Sequence, residues 1–171
     1  MLKLNLPKNV KISWGSDFIK IEGPLGVILK KRSNFSLAEK EGVLYLWSIE
    51  DSNQEGFYLA MIKNIILGVT KGYRQRLKLV GVGFRAGFKD ANLSLKIGYS
   101  HEVTYEIPSD IQILVSKAKG SFVLVKGLEK ERVQQISKEI RLLREPDSYK
   151  GKGIHYHKEV LKLKKGKREG K

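Results

Sequence analysis

The sequence predicts an α+β protein of two similar small domains, each an antiparallel β-sheet packed with a helix, plus a basic C-terminal arm. Three observations lead there: a repeat between the two halves, a strands-then-helix pattern in each half, and positive charge gathered in two blocks. The chain has 171 residues, 41% of them hydrophobic, which suits two small domains with packed cores. The division falls at residues 1–74 and 75–171, inside the first basic block.

The repeat joins "LPKNVKISWGSDFIKIEGPLG" (6–26) to "IPSDIQILVSKAKGSFVLVKGLEKE" (107–131). Each begins apolar-Pro and continues apolar-x-apolar, Val10 and Ile12 against Ile111 and Ile113. Each then turns into Phe-apolar-x-apolar-x-Gly, with Phe18, Ile19, Ile21 and Gly23 matching Phe122, Val123, Val125 and Gly127. The second copy is three residues longer between these motifs, a difference that a longer hairpin loop absorbs. An internal duplication accounts for the match.

In the first half, "FIKIEG", "VILKK" and "VLYLW" read as strands. A helix is expected at 55–71, with Phe57, Met61, Ile65 and Ile66 on its buried stripe and the glycines of "LGVTKGY" ending it. In the second half, "RLKLVGVGFRAGF", "LSLKIGY" and "EVTYEI" alternate with period two, as half-buried antiparallel strands do. A second helix is expected at 130–144, burying Val133, Ile136, Ile140 and Leu143. Glu145-Pro146 ends it, because a residue before proline avoids helical angles.

Composition narrows the function. Thirty-three Lys and Arg against eighteen Asp and Glu give a formal charge of +15. Residues 63–89 hold seven basic residues and no acidic one, and residues 144–171 hold ten basic and four acidic. Charge concentrated this way suits a polyanion, above all nucleic acid. The absence of cysteine excludes disulfides, thiol catalysis and cysteine-based zinc sites. No run of 18 apolar residues is present, and the start, "MLKLNLPKNVKISW", does not read as a signal or transit peptide.

Enzymatic readings fail on spacing. In "GVGFRAG" the third glycine, Gly87, stands one place too far for a dinucleotide fingerprint, and a strand pattern follows where a helix is required. Glycines bending a strand explain it better. "YKGKGI" lacks the hydroxyl that a phosphate-binding loop places after its lysine to hold magnesium. His155 and His157 have no cysteine partners and stand among Lys150, Lys152 and Lys158, so no metal is expected. His101 reads as a structural residue near a strand end. No cofactor and no catalytic residue is expected.

The tail "YKGKGIHYHK" carries the binding chemistry. Gly151 and Gly153 allow positive φ and close backbone approach, and exposed N–H groups in such a turn can form an anion nest. Lys150 and Lys152 add charge, while Tyr149 and Tyr156 offer rings for stacking on bases or sugars. Farther on, Val160, Leu161 and Leu163 can pack one face while Lys158, Lys162, Lys164, Lys165, Lys167 and Arg168 turn outward. The last residues are expected to order only with a partner.

"PDSYKGKGIHY" resembles the C-terminal signature of the sixth large-subunit ribosomal protein family, usually Pro-Glu-x-Tyr-Lys-Gly-Lys-Gly-Ile-Arg-Tyr. The resemblance extends through "IEGPLG", "NIILGVTKGY", "KLVGVGFRA", "LSLKIGYSHEVTYEIP" and "IRLLREP", in order along nearly the whole chain. It implies a two-domain α+β protein that is a structural constituent of the large ribosomal subunit. It implies binding of large-subunit rRNA through the second domain and arm, near the region where translation factors dock. Neighbouring large-subunit proteins are the other expected partners, with no membrane and no homo-oligomer.

Carried over by motif, the RNA-facing segment is Tyr149, Lys150, Gly151, Lys152, Gly153 and Tyr156. Arg74 and Arg85 lie in or beside matched motifs, and the lysines from Lys158 onward are assigned from charge. His155, also expected among the rRNA-binding residues, stands where the family has arginine, "REPDS" where two prolines are common, and Lys63 where a small or apolar residue is usual. These departures suggest a divergent lineage, with a mitochondrial ribosome fitting and a bacterial or plastid one as alternatives. A free-standing RNA chaperone is the other reading. A peripheral membrane protein is disfavoured, because the 130–144 helix has no Trp or Phe on its apolar stripe.

Overall fold

The computed structural model describes residues 2–31, 34–49, 54–116 and 122–164. They form two compact units, one of residues up to Tyr73 with Leu128–Lys130, the other of Arg74–Gly127 with the chain from Glu131 onward.

The first unit carries β1 (Leu2–Asn5), β2 (Lys11–Trp14), β3 (Phe18–Gly23), β4 (Gly26–Lys31), β5 (Phe35–Lys40), β6 (Val43–Ser48) and α1 (Glu55–Lys71). The sequence led us to expect one sheet, but there are two, ordered β1-β6-β5 and β2-β3-β4, each antiparallel. Strands of both pack against α1, so two small apolar faces close on one amphipathic helix.

The helix spans the expected residues, yet its buried stripe is Tyr58, Ile62, Ile65, Ile66 and Val69. Phe57 is 68% exposed, which corrects the sequence assignment by one position. Tyr58 instead packs against the buried Phe35, ring centroids 4.6 Å apart and planes tilted by 31°. Of the two stopping glycines, only Gly72 stops anything. At φ 70° its N–H closes on the carbonyls of Leu67 and Gly68. Gly68 serves packing, since a Cβ there would strike the Leu128 carbonyl oxygen.

The second unit carries β7 (Tyr73–Val80), β8 (Arg85–Lys89), β9 (Asn92–Lys96), β10 (Val103–Tyr105), β11 (Ile111–Ser116), β12 (Phe122–Gly127), α2 (Lys130–Leu142) and β13 (Gly153–Tyr156). It too has two sheets, ordered β10-β9-β8 and β11-β12-β7-β13. The glycines of "GVGFRAG" do not bend a continuous strand. Gly81 to Phe84 form a turn closed by the Phe84 N–H on the Gly81 carbonyl, and a strand follows it.

Helix α2 buries Val133, Ile136, Ser137 and Ile140, and the Ser137 hydroxyl donates to the Val133 carbonyl at 2.7 Å. Leu143 and Arg144, expected within the helix, form a tighter turn through bonds to Ile140 and Arg141. Across from α2, the Tyr105 hydroxyl donates to Glu139 at 2.5 Å. Burial, then that carboxylate, pushes the phenol pKa up.

The repeated stretches fold alike down to single hydrogen bonds. The Val10 N–H bonds the Pro7 carbonyl and the Ile111 N–H bonds the Pro108 carbonyl, each at 3.1 Å. Register pairs Ile12 with Ile21 in one copy and Ile113 with Val125 in the other. Each copy ends on a glycine whose Cβ would strike a helix valine, Gly23 against Val69 at 2.7 Å and Gly127 against Val133 at 2.8 Å.

Candidate nucleic-acid interface

The segment read as an arm is, at its start, part of the sheet. Strand β13 pairs antiparallel with β7, Ile154 opposite Leu79 and His155 opposite Lys78. Ile154 is fully buried, so alternation turns His155 to the outer side with Lys78. Gly153, at φ 148°, sits so close to the turn before it that a Cβ would lie 2.6 Å from the Glu145 carbonyl oxygen. The close approach that its sequence suggested is therefore to the chain's own backbone.

Ahead of the strand, residues 147–152 close a small ring. The Asp147 N–H donates to the Lys152 carbonyl and the Gly151 N–H to the Asp147 carbonyl, both at 2.9 Å. The Asp147 carboxylate accepts the N–H of Lys150 at 3.0 Å and of Tyr149 at 3.3 Å. Those two bonds, Lys150's first, hold its pKa below the ordinary 3.8. This corrects the anion-nest expectation: the N–H groups of Tyr149, Lys150 and Gly151 are already taken, two of them by an internal anion.

What the ring offers outward is side chains. Lys150 and Lys152 are exposed and Tyr149 is 57% exposed. Gly151 takes φ 64° behind them, and the His155 ring reaches back to its carbonyl at 2.8 Å. A carbonyl only accepts, so His155 Nε2 carries the proton. Leu161 and Leu163 pack over Gly151, within 4.0 and 3.5 Å of the Cβ position. Val160, expected beside them, is 91% exposed. The Lys164 N–H bonds the Ser148 carbonyl at 2.9 Å, leaving the side chains of Lys158, Lys162 and Lys164 in solvent. Lys165, Lys167 and Arg168 lie outside the described residues.

Tyr156 is half-buried, with the Arg141 guanidinium 5.3 Å above its ring. Arg141 also donates to Glu159 at 2.7 Å, and Glu159 accepts the Tyr156 N–H at 3.0 Å. Burial raises the Glu159 pKa, but those bonds outweigh it and leave the carboxyl below its ordinary value. Arg74 meets Tyr156 and Lys158 along a cavity of about 590 Å³ that Arg76 and His157 also line. Arg85 is elsewhere, exposed on β8 opposite Lys96. His157 lays its ring edge-on to Phe122 at 6.1 Å, and His101 stacks on Tyr99 at 6.5 Å.

Residues 80–157 match the family model described as Ribosomal protein L6. The protein of Reclinomonas americana named large ribosomal subunit protein uL6m is 38% identical, covering 98% of this chain and 96% of its own length. Proteins named large ribosomal subunit protein uL6 are 37% identical in Fervidobacterium nodosum, covering 95% and 94%, and in Persephonella marina, covering 98% and 96%.

The chain belongs to the ribosomal protein L6 family.

It is thus a ribosomal-protein fold and not an enzyme. In this L6-family chain the match runs from Val80, the last residue of β7, to His157, and β13 near its end pairs with β7. Arg76 and Lys78 belong to the first basic block but are not among the expected site residues. Their signal was the alternation Arg74-x-Arg76-x-Lys78 against buried Leu77 and Leu79 in a strand already recognised.

Proposed function

We propose that this protein is a structural constituent of the large ribosomal subunit that binds large-subunit rRNA near the translation-factor region. The carrying observation is relationship over almost the entire chain to proteins named for that subunit. Neighbouring large-subunit proteins and docking translation factors complete the proposed surroundings. Organellar and bacterial relatives stand at similar identity, supporting the ribosome and favouring no compartment. We also propose residues 1–74 and 75–171 as the functional domains, with RNA binding in the second and in Arg74 at its border.

The contact surface proposed is the exposed Lys150 and Lys152 with Tyr149, continued by Tyr156, Lys158, Lys162, Lys164 and Arg74. Their scaffold supports this: the backbone is spent on internal bonds, so the lysines project from a fixed ring at little ordering cost. Phosphate neutralisation supplies affinity and makes it salt-dependent.

Two measurements test the reading. The protein should co-sediment with the large subunit through moderate salt washing; recovery only in the soluble fraction sinks it. Lys150→Ala with Lys152→Ala should weaken binding to large-subunit rRNA roughly tenfold and lower the log–log salt slope by about 1.4–1.8, with the melting temperature unchanged. Equal affinity for unrelated single strands would instead describe a free-standing RNA chaperone.

A further inference from the structure

We propose that the outer face of the sheet β11-β12-β7-β13 is a second RNA contact, taking an unpaired stretch with phosphates on Arg76 and Lys78 and a base against Phe122. This rests on the rRNA-binding reading above and extends it to residues outside the lysine–glycine ring.

Alternation decides which side chains stand on that face. Leu77, Leu79, Val123, Val125, Ile111, Ile113 and Ile154 are buried inward, so their neighbours point out. The outward positions are Arg74, Arg76, Lys78 and Val80 on β7, Phe122, Leu124 and Lys126 on β12, Gln112, Leu114 and Ser116 on β11, and Gly153 and His155 on β13. Four are permanent cations and none is a carboxylate. A solvated sheet face ordinarily mixes signs, because opposite charges on adjacent strands stabilise and like charges destabilise. Here Arg74, Arg76 and Lys78 follow one another about 7 Å apart along one strand; among the described residues no strand position on the face is anionic, and Glu159, which lines the cavity beside Arg74 and Arg76, is held by Arg141. That arrangement is complementary to a polyanion.

The apolar part of the face is equally specific. Leu114 is 42% exposed and pairs with Leu124, while Phe122 pairs with Ser116. The Arg76 guanidinium lies 5.8 Å from the Phe122 ring and His157 meets that ring edge-on at 6.1 Å. The ring is therefore steadied from two sides before any ligand arrives, which limits the entropy lost on stacking. An acidic peptide would use the cations but has no need of a steadied ring among them. Unstacked bases use both.

The face also leads somewhere. A depression of about 380 Å³ is lined by Arg76, Leu114, Val115, Ser116, Phe122 and Leu124. It shares Arg76 and Leu124 with the cavity that runs on to Tyr156, His157 and Lys158. One groove thus connects the sheet face to the contact surface proposed above.

The test uses the full chain and in-vitro-transcribed large-subunit rRNA, with filter binding across a salt series and circular dichroism as the folding control. Arg76→Gln with Lys78→Gln should lower the log–log salt slope by about 1.4, two phosphates at roughly 0.7 each. Phe122→Leu should weaken binding roughly five- to hundredfold and leave the slope unchanged. Should Phe122→Leu fail to fold, the exposed charge pair still carries the test. Wild-type affinity and slope in the charge variant, alongside weakened Lys150/Lys152 binding, overturn this proposal and leave the first reading standing. Variants that keep rRNA affinity but fall away from the large subunit on sedimentation mark a protein contact and also overturn it. No rRNA binding by the unaltered chain overturns both.

Discussion

Gly153 and Gly87 both lie in strands of the second unit, yet the structure asks opposite things of them. A Cβ on Gly153 would lie 2.6 Å from the Glu145 oxygen and 2.7 Å from the Pro146 Cα, both rigid backbone, at φ 148°. Neither atom can move aside as a side chain would. Gly87 has nothing within 4 Å of its Cβ position. Gly153→Ala should therefore cost about 1–3 kcal/mol, whereas Gly87→Ala should be neutral or stabilise by about 0.5–1 kcal/mol through the unfolded chain. Denaturant midpoints of the two variants check the contrast, and equal midpoints refute it. Asp147 makes a second residue-scale prediction. Its carboxyl, lowered from 3.8 by the N–H bonds of Lys150 and Tyr149, stabilises the ring above that value and lets go as pH falls through the lower folded value. The Lys150 and Tyr149 amide resonances should shift with one midpoint below 3.8. A midpoint at or above 3.8 contradicts the capping role.

Strand β13 shows what an element can hide. Ile154 is fully exposed to the core and not at all to water, and it is the strand's anchor against Leu79. Ile154→Ala should cost about 2–5 kcal/mol, measured by denaturant unfolding, while Leu163→Ala, at a position 53% exposed, should stay within about 0.5 kcal/mol. A cost for Ile154 as small as that for Leu163 would return the segment to a loose arm. Its sequence concealed this. Four residues with glycine first, surrounded by lysines, give too little alternation to outweigh the look of a basic tail, and the pairing partner is more than 70 residues away. The hairpins and both helices were legible because their periodicity is local. The α1 stripe slipped by one position because aromatic Phe57 and Tyr58 fit the spacing equally well, and only the ring of Phe35 chooses between them. At the site, lysine exposure was legible from charge, but the filling of the N–H groups by Asp147 depends on a turn geometry that composition does not encode.

At the scale of the whole molecule, charge opposes folding in the free protein. The formal charge is +15, and self-repulsion of this kind weakens the compact state. Among the described residues, the ion pairs that salt would weaken include Lys20–Glu22, Lys30–Glu129, Arg132–Asp110 and Arg141–Glu159. The first three are partly exposed, and pairs of that kind contribute about 0–1 kcal/mol each. Raising ionic strength from 0.01 to 0.15 M shortens the screening length from about 30 to about 8 Å, which removes long-range repulsion across the second unit's basic face while leaving close pairs partly intact. The two effects pull opposite ways, and the excess of cations makes the repulsive one larger. The free protein should therefore melt at higher temperature in 0.15 M than in 0.01 M salt. Binding rRNA at a free concentration of 100 times Kd should add about 2.7 kcal/mol, and that increment should shrink as salt weakens the complex. Melting curves with and without rRNA at both salt concentrations measure the pair of trends. A free protein that melts lower in added salt would mean that attractive pairs, not the unbalanced cations, dominate its electrostatics.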